Sequence, residues 1–250
     1  MLRLYISGLL SFRMASSHLQ TLNLHYPWTS TPLVASAPMR LISTSPLAVA
    51  VSRAGGLGFL GAGTDLSTFS YLLNEAATSL QSTLIPNTPS GIVPVGVGFI
   101  CWGADLSTAV SAIQSAIPKP AAAWLFAPQD PQDLITWTEG IRKASDGNTK
   151  IWIRVGTMAM ALDVAKSCQP DVLVIQGSDA RGHGLAQSSS IITLLPACAD
   201  YLARKGFGDI PLIAAGGIVD GRGVATALTF RRKRCLHGNS VSCLARGRNK

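Results

Sequence analysis

Residues 211–228 read PLIAAGGIVDGRGVATAL, and this stretch holds the parts of one βα unit. A short apolar run ends in Gly216 and Gly217, and a helix is predicted to begin at Gly221. A continuous apolar run is typical of a parallel strand that is buried on both faces. Glycines after such a strand are typical of a tight turn, and in barrels they also present backbone amides to phosphate. The stretch therefore predicts a parallel α/β fold whose ligands bind at the carboxyl ends of its strands.

The same alternation of an apolar run and a potential helix recurs along the chain. The predicted strands cover residues 33–37, 58–60, 93–99, 121–126, 150–155, 171–175 and 211–215. The predicted helices cover residues 46–54, 66–80, 106–116, 131–144, 159–167, 191–205 and 221–229. This pattern predicts an α/β protein with the fold of a (β/α)8 TIM barrel, which typically needs about 250 residues. A doubly wound open sheet is the alternative, and the lack of a GxGxxG motif after the first predicted strand disfavours it.

The last 20 residues differ sharply in composition from the rest of the chain. Residues 231–250 hold seven of the 21 Lys and Arg residues and no acid, whereas the rest carries 14 basic and 13 acidic residues. The domain itself therefore gives no reason to expect nucleic acid as a partner. A nuclear or nucleic-acid signal is the alternative interpretation of RRKR at residues 231–234.

No apolar strand is predicted after Phe230, so we expect only about seven βα units and an open edge between the first and seventh strands. Three regions follow from this interpretation. They are an amino-terminal extension at residues 1–21, for which disorder is one interpretation, an incomplete barrel at 22–230, and a basic tail at 231–250 that is foreign to the fold through truncation, mis-splicing or an alternative isoform.

Localisation is inferred from the cysteines and the first residues. The five cysteines form no CxxC pair, which predicts reduced thiols and no metal site, as in an intracellular protein. No apolar run reaches the ~18–20 residues of a membrane span. We expect a cytoplasmic protein. Mitochondrial or peroxisomal import is the alternative, because the chain has no acidic residue before Asp65 and the extension carries Arg3 and Arg13.

The segment DVLVIQGSDARGHG, residues 171–184, ends a predicted strand in a polar loop with glycines and His183. Glycines at a strand end let the backbone approach a flat ligand closely. A histidine there has a pKa near neutrality and can accept a proton from a substrate. A solvated loop histidine is the alternative interpretation of the same residue.

Five motifs occur together in one order along the chain. They are APM at residues 37–39, SRAGGLGFLGAG at 52–63, PVGVGF at 94–99, QGSDARGHG at 176–184 and AAGGI at 214–218. Over about residues 22–230 this combination resembles the nitronate monooxygenases, formerly called 2-nitropropane dioxygenases, and especially the fungal-type members. The resemblance implies an FMN-dependent barrel that oxidises alkyl nitronates or nitroalkanes with O2 to a carbonyl compound and nitrite.

The resemblance also implies roles for particular residues. The flavin-binding set would be Ala37, Pro38, Met39, Gln176, Gly182, Gly216 and Gly217. His183 would be the catalytic base that deprotonates a neutral nitroalkane. The chain departs from the family's usual DAGGHG at Arg181, whose side chain either meets the flavin or points outward and attracts an anionic nitronate.

Three alternatives to nitronate oxidation stay open at this point. One is another FMN-dependent barrel oxidoreductase, similar to the flavin-dependent enoyl reductases. Another is an inactive member of the family, because the resemblance implies that an eighth strand completes the phosphate site. The third is the nuclear or nucleic-acid signal in the basic tail.

Overall fold

The computed structural model describes residues 18–180 and 188–230 in full and the backbone of residues 242–245. Its strands are β1 (Val34–Ser36), β2 (Gly58–Gly63), β3 (Ile92–Ile100), β4 (Lys119–Phe126), β5 (Lys150–Val155), β6 (Val172–Gln176), β7 (Leu212–Ala215) and β8 (Ser242–Ala245). The helices that follow β1 to β7 are α1 (Ser45–Arg53), α2 (Phe69–Ser82), α3 (Leu106–Ser115), α4 (Pro131–Ala144), α5 (Met158–Ser167), α6 (Ile191–Arg204) and α7 (Gly221–Thr229). A further helical segment, residues 18–25, precedes β1.

The strands form one closed ring of parallel neighbours. Each strand from β2 to β7 pairs with the next along the chain, and β8 also pairs with β1. Leu57 joins β1 to β2, because its amide donates to the Val34 carbonyl at 3.0 Å and its carbonyl accepts from the Ser36 amide at 3.1 Å. The predicted (β/α)8 barrel is therefore confirmed, and the strand and helix bounds differ from the predicted ones by no more than three residues.

The expectation of an open edge after β7 is wrong. Ser242–Ala245 lies between β7 and β1, with Cys243 opposite both Ala214 and Val34 in the backbone register. Four residues are enough here, because the exposed backbone groups of β7 and β1 supply hydrogen-bonding partners on both sides. The sequence analysis required a longer apolar run than this pairing needs. The prediction of seven βα units stands, and the rest of the tail, including residues 231–234, lies outside the described residues.

The predicted boundary of the amino-terminal extension, between residues 21 and 22, falls inside a helical segment. Residues 18–21 belong to the helical segment, and Leu22 and Tyr26 are buried in the barrel. The sequence analysis placed the boundary on the resemblance, which begins near residue 22. Among the described residues, no helix is both long and apolar enough to cross a membrane.

Local sequence fixes the start of α4 particularly clearly. The Asp130 side chain accepts a hydrogen bond from the Gln132 amide at 2.8 Å, and the Asp133 side chain accepts one from the Asp130 amide at 2.9 Å. This reciprocal capping satisfies amides that have no partner within the helix, and Pro131 fixes the first helical φ angle. The helix consequently begins where the sequence predicts.

Aromatic side chains fill the interior of the barrel. Phe59 lies with its ring centroid 5.2 Å from that of Trp124 and 5.0 Å from that of Trp152, and the two indoles are 5.8 Å apart. A separate apolar cluster fills the space between the strands and the surrounding helices. Because the barrel is packed rather than hollow, a ligand can bind only at one of its ends.

The amino-terminal segment closes one of these ends. Tyr26 is completely buried, and its hydroxyl oxygen accepts a hydrogen bond from Trp152 Nε1 at 2.6 Å. Leu22 and Trp28 pack into the same cluster as Leu33, which lies just before β1. The amino-terminal ends of the strands are therefore covered, and the mouth of the barrel is at the carboxyl ends.

We expect Tyr26→Phe to lower the free energy of unfolding by about 1–3 kcal/mol, because it leaves the buried indole N–H of Trp152 without an acceptor. Urea denaturation followed by tryptophan fluorescence measures this change. Tyr71→Phe is the matched control, since Tyr71 is 66% exposed and should be neutral. Equal stability of the two variants would contradict the role given to the Tyr26 hydroxyl.

Candidate active site at the mouth of the barrel

Three half-buried side chains form one side of the mouth. Phe126, Arg154 and Gln176 stand near or at the carboxyl ends of β4, β5 and β6. Each lies two residues beyond a buried residue of the barrel interior, and side chains two apart in a strand share a face. All three therefore lie above the packed core and face the space where a ligand can bind.

Arg154 contacts both of the other side chains. The Arg154 guanidinium carbon lies 5.0 Å from the centroid of the Phe126 ring, and Arg154 Nη1 lies 3.5 Å from Gln176 Oε1. Burial lowers the pKa of Arg154 to about 10, which leaves the side chain protonated at neutral pH. The mouth therefore carries a positive charge, which the packing of an otherwise apolar strand does not require.

Small residues form the opposite side of the mouth, where the APM segment crosses β2 and β3. A Cβ atom added to Gly98 would lie 2.2 Å from Pro38 Cβ, and one added to Gly61 would lie 2.5 Å from the Met39 carbonyl oxygen. Neither distance is sterically possible, so only glycine lets the segment approach these strands. The glycines of β2 and β3 thus allow Pro38 and Met39 to lie directly against the backbone of these strands.

Ser43 fixes the same segment from its other end. Its hydroxyl accepts a hydrogen bond from the Met39 amide at 3.1 Å and donates one to the Ala37 carbonyl at 2.8 Å. Ser43 is itself buried, so these bonds form away from water. Its position six residues after Ala37 gave no signal in the sequence, and the sequence analysis assigned it no role.

The loops after β6 and β7 pack against each other. Gly216 and Gly217 have φ angles of 117° and 69°, which side chains rarely adopt. A Cβ atom at Gly216 would lie 3.1 Å from the Ala180 amide nitrogen, and one at Gly217 would lie 3.3 Å from Asp179 Cβ. Both positions therefore favour glycine through their positive φ angles, and the neighbouring atoms leave little space for a side chain, as expected of a turn that presents its backbone.

Asp179 joins the β6 loop to the start of α6. Its Oδ2 atom accepts hydrogen bonds from Ser190 Oγ at 2.7 Å and from the Ile191 amide at 2.8 Å. These two bonds hold the pKa of Asp179 below its usual range. This contact leaves no signal in the sequence, because its partners lie eleven and twelve residues away, beyond the loop.

The residues predicted to bind a cofactor fall into two groups. Ala37, Pro38 and Met39 follow β1, Gln176 ends β6, and the Gly216–Gly217 pair follows β7, so the structure brings these six together at the mouth. Gly182 and His183 lie outside the described residues, as does Arg181. Arg154 and Phe126 also lie at the mouth but were not among the predicted residues. The sequence did carry one sign of Arg154, namely a charged residue inside the apolar run KIWIRV.

Two buried cysteines, Cys101 and Cys198, are not activated as nucleophiles. Burial raises the pKa of Cys101, close to the mouth, to about 12 and that of Cys198 to about 11. Both side chains are therefore neutral thiols at physiological pH. Within the described ranges, no group of His, Cys, Asp or Glu is placed to hold a metal ion.

The chain is similar in sequence to nitronate monooxygenases. Residues 137–231 match the model of the nitronate monooxygenase family. The chain is 47% identical over 215 residues to the nitronate monooxygenase of Metarhizium robertsii, a match that covers 84% of this chain and 58% of that protein. It is 35% identical over 234 residues to that of Neurospora crassa, covering 86% and 61%. The chain thus spans about three fifths of the length of these relatives.

Two solved structures share the fold. FabK from Thermotoga maritima superposes with a TM-score of 0.62 at 24% identity, over 89% of this chain and 60% of that one. Nitroalkane oxidase from Streptomyces ansochromogenes gives a TM-score of 0.60 at 20% identity, over 90% and 67%. At such identities the similarity supports the barrel fold alone.

We expect Gly98→Ala to destabilise the protein by about 1–3 kcal/mol, because the added methyl group must displace Pro38. Thermal denaturation measures the loss. Gly221→Ala is the matched control, since a Cβ atom there meets nothing within 4 Å. A Gly98→Ala variant as stable as this control would contradict the close contact between β3 and the APM segment.

Proposed function

Because this chain belongs to the nitronate monooxygenase family, we propose that it oxidises alkyl nitronates or nitroalkanes with O2 to a carbonyl compound and nitrite. We further propose that flavin mononucleotide binds at the mouth of the barrel. One observation carries the proposal. The APM segment, Gln176 and the Gly216–Gly217 turn are far apart in the sequence but follow β1, β6 and β7 on the same end of one closed barrel.

The described residues of the mouth fit a flavin in their hydrogen-bonding chemistry. The Gly216–Gly217 turn offers backbone amides, which suit a phosphate dianion. The Gln176 side chain can donate and accept, as the carbonyl and N–H groups of a pyrimidine edge require. The Ala37 side chain is only a methyl group, so it adds little bulk beside a flat ring.

Bound there, FMN would supply the redox chemistry, taking two electrons from the substrate and passing them to O2. The chain's own residues supply position and surroundings. Pro38 and Met39, held by Ser43 and by the bare strands beneath them, would support one face of the ring. The buried indoles of Trp124 and Trp152 exclude water from the interior below the mouth.

His183 is proposed as the base of the reaction. It belongs to the connection between β6 and α6, which begins at the mouth with Gly177. An imidazole can remove the acidic α-proton of a nitroalkane, which yields the nitronate. A preformed nitronate has already lost that proton and needs no base.

His183→Asn tests the proposal. It should lower turnover of neutral nitroethane by about 10²–10⁴-fold, the usual contribution of a general base, and should spare preformed ethyl nitronate. Oxygen consumption and nitrite release measure both reactions. An equal loss on the two substrates would contradict the role of His183. A wild-type protein that is loaded with FMN but consumes no O2 with ethyl nitronate would contradict the proposed function and support an inactive family member.

A further inference from the structure

The Gly216–Gly217 turn is not fixed by its own residues. Glycine has no side chain, and its backbone adopts more conformations than that of any other residue. The φ angles of 117° and 69° must therefore be held by the surroundings of the turn. A turn that binds an anion through its amides has to keep them pointing at one place, because a misaligned N–H group loses its hydrogen bond. The support of this turn thus matters directly for the proposed phosphate site.

The support on one side of the turn is the segment of residues 177–180, which follows β6. A Cβ atom built on Gly216 would lie 3.1 Å from the Ala180 amide nitrogen and 3.3 Å from the Gly177 carbonyl oxygen. The Gly177 amide also donates a hydrogen bond to the Ala215 carbonyl at 3.0 Å. The backbones of the segment and of the turn therefore lie directly against each other, so a shift of one displaces the other.

The opposite side of the same segment lies against the start of α6. A Cβ atom built on Gly177 would overlap the Ile191 amide nitrogen, so the segment and the helix start are also in close contact. The Ser178 amide donates a hydrogen bond to the Ser189 carbonyl at 2.9 Å. The segment is thus packed between α6 and the turn, and the position of the turn depends on how the segment is held to the helix.

The Asp179 side chain ties the segment to α6. Its Oδ2 atom accepts hydrogen bonds from Ser190 Oγ at 2.7 Å and from the Ile191 amide at 2.8 Å. Hydrogen bonds to an ionised carboxylate are stronger than those between neutral groups. The same residue reaches the turn, because a Cβ atom built on Gly217 would lie 3.3 Å from Asp179 Cβ. One side chain therefore bonds to the helix while its stem packs against the turn.

We propose that Asp179 is a positioning residue, which holds the Gly216–Gly217 turn in the conformation that binds the phosphate of FMN. This inference rests on the proposed function, since the turn is the proposed phosphate site. Asp179 acts on the phosphate through the turn in this account, without a contact of its own. Two competing roles give different results: a cap that only stabilises α6, and a carboxylate that repels the phosphate.

The test compares Asp179→Ala, Asp179→Asn and the control Asp105→Ala in the full chain freed of flavin. Ala removes both hydrogen bonds, whereas Asn keeps an oxygen that can accept them and loses the charge. Asp105 caps α3 in the same way, with Oδ2 2.8 Å from the Thr108 amide nitrogen, so its replacement breaks a helix cap in a different βα unit.

The readouts are the melting temperature and the dissociation constants of FMN and riboflavin, which differ only in the phosphate. Both constants are obtained from the change in flavin fluorescence on binding, which requires no turnover. A general loss of structure affects the two flavins alike. A displaced phosphate turn affects FMN alone.

Asp179→Ala should raise the FMN dissociation constant by roughly 10-fold and leave that of riboflavin within about twofold of wild type. Asp179→Asn should recover most of the FMN affinity, and Asp105→Ala should change neither constant. If Asp179→Ala does not fold, Ser190→Ala provides the test, because it removes one of the two bonds and keeps the carboxylate. It should raise the FMN constant by about threefold and spare riboflavin.

Four results would overturn the proposal. Unchanged FMN affinity would show that the turn needs no tie to α6, and an equal loss for both flavins would show that Asp179 only supports the fold. Tighter FMN binding by both Asp179 variants would assign the carboxylate a repulsive role. An equal loss of FMN affinity in Asp179→Ala and Asp179→Asn would assign the effect to the charge and not to the hydrogen bonds.

The same measurements separate this proposal from the proposed function. If wild type prefers FMN to riboflavin in an Asp179-dependent way but does not oxidise ethyl nitronate, the positioning role stands and the proposed reaction falls. If wild type shows no preference for FMN over riboflavin, the positioning role falls whatever the activity.

Discussion

Closure of the ring of parallel strands is the constraint on which the rest of this structure depends. The strands from β1 to β7 are largely buried, so their N–H and C=O groups must find partners on neighbouring strands. The backbone bonds of Leu57 to Val34 and Ser36 meet this requirement between β1 and β2, and β8 meets it between β7 and β1. Because the ring is closed and its interior is filled by aromatic side chains, the fold leaves the mouth as the place for chemistry.

The two sides of that mouth differ in physical character. One side consists of bare backbone and a short segment held by Ser43, which fixes shape and contributes little charge. The other side carries Arg154, which lies over the Phe126 ring, and Gln176, which Arg154 contacts. A flat, partly polar ligand that must be held in one orientation would use both, since packing fixes its plane and hydrogen bonds fix its rotation within the plane.

The sequence predicted the fold well because each βα unit carries its signals locally. Apolar runs, strand-end glycines and the capping box at Asp130 depend only on residues nearby in the sequence. The predicted bounds of the strands and helices are therefore close to the observed ones. The errors have a common origin in long-range partners. β8 is a strand only because β7 and β1 lie beside it, and Asp179 caps α6 across an intervening loop. The motif residues after β1, β6 and β7 were identified by resemblance, whereas Arg154 became a candidate only when Phe126 and Gln176 were seen around it.

The central claim is that the described mouth belongs to a working flavin site, and the visible spectrum of the protein titrated with FMN tests it most directly. The account predicts stoichiometric binding, seen as a perturbed flavin absorption band, and bleaching of that band when ethyl nitronate is added without oxygen. Recovery of the band on admitting air would complete the cycle. A protein that leaves the FMN spectrum unchanged, or binds FMN without bleaching by the nitronate, would contradict the account.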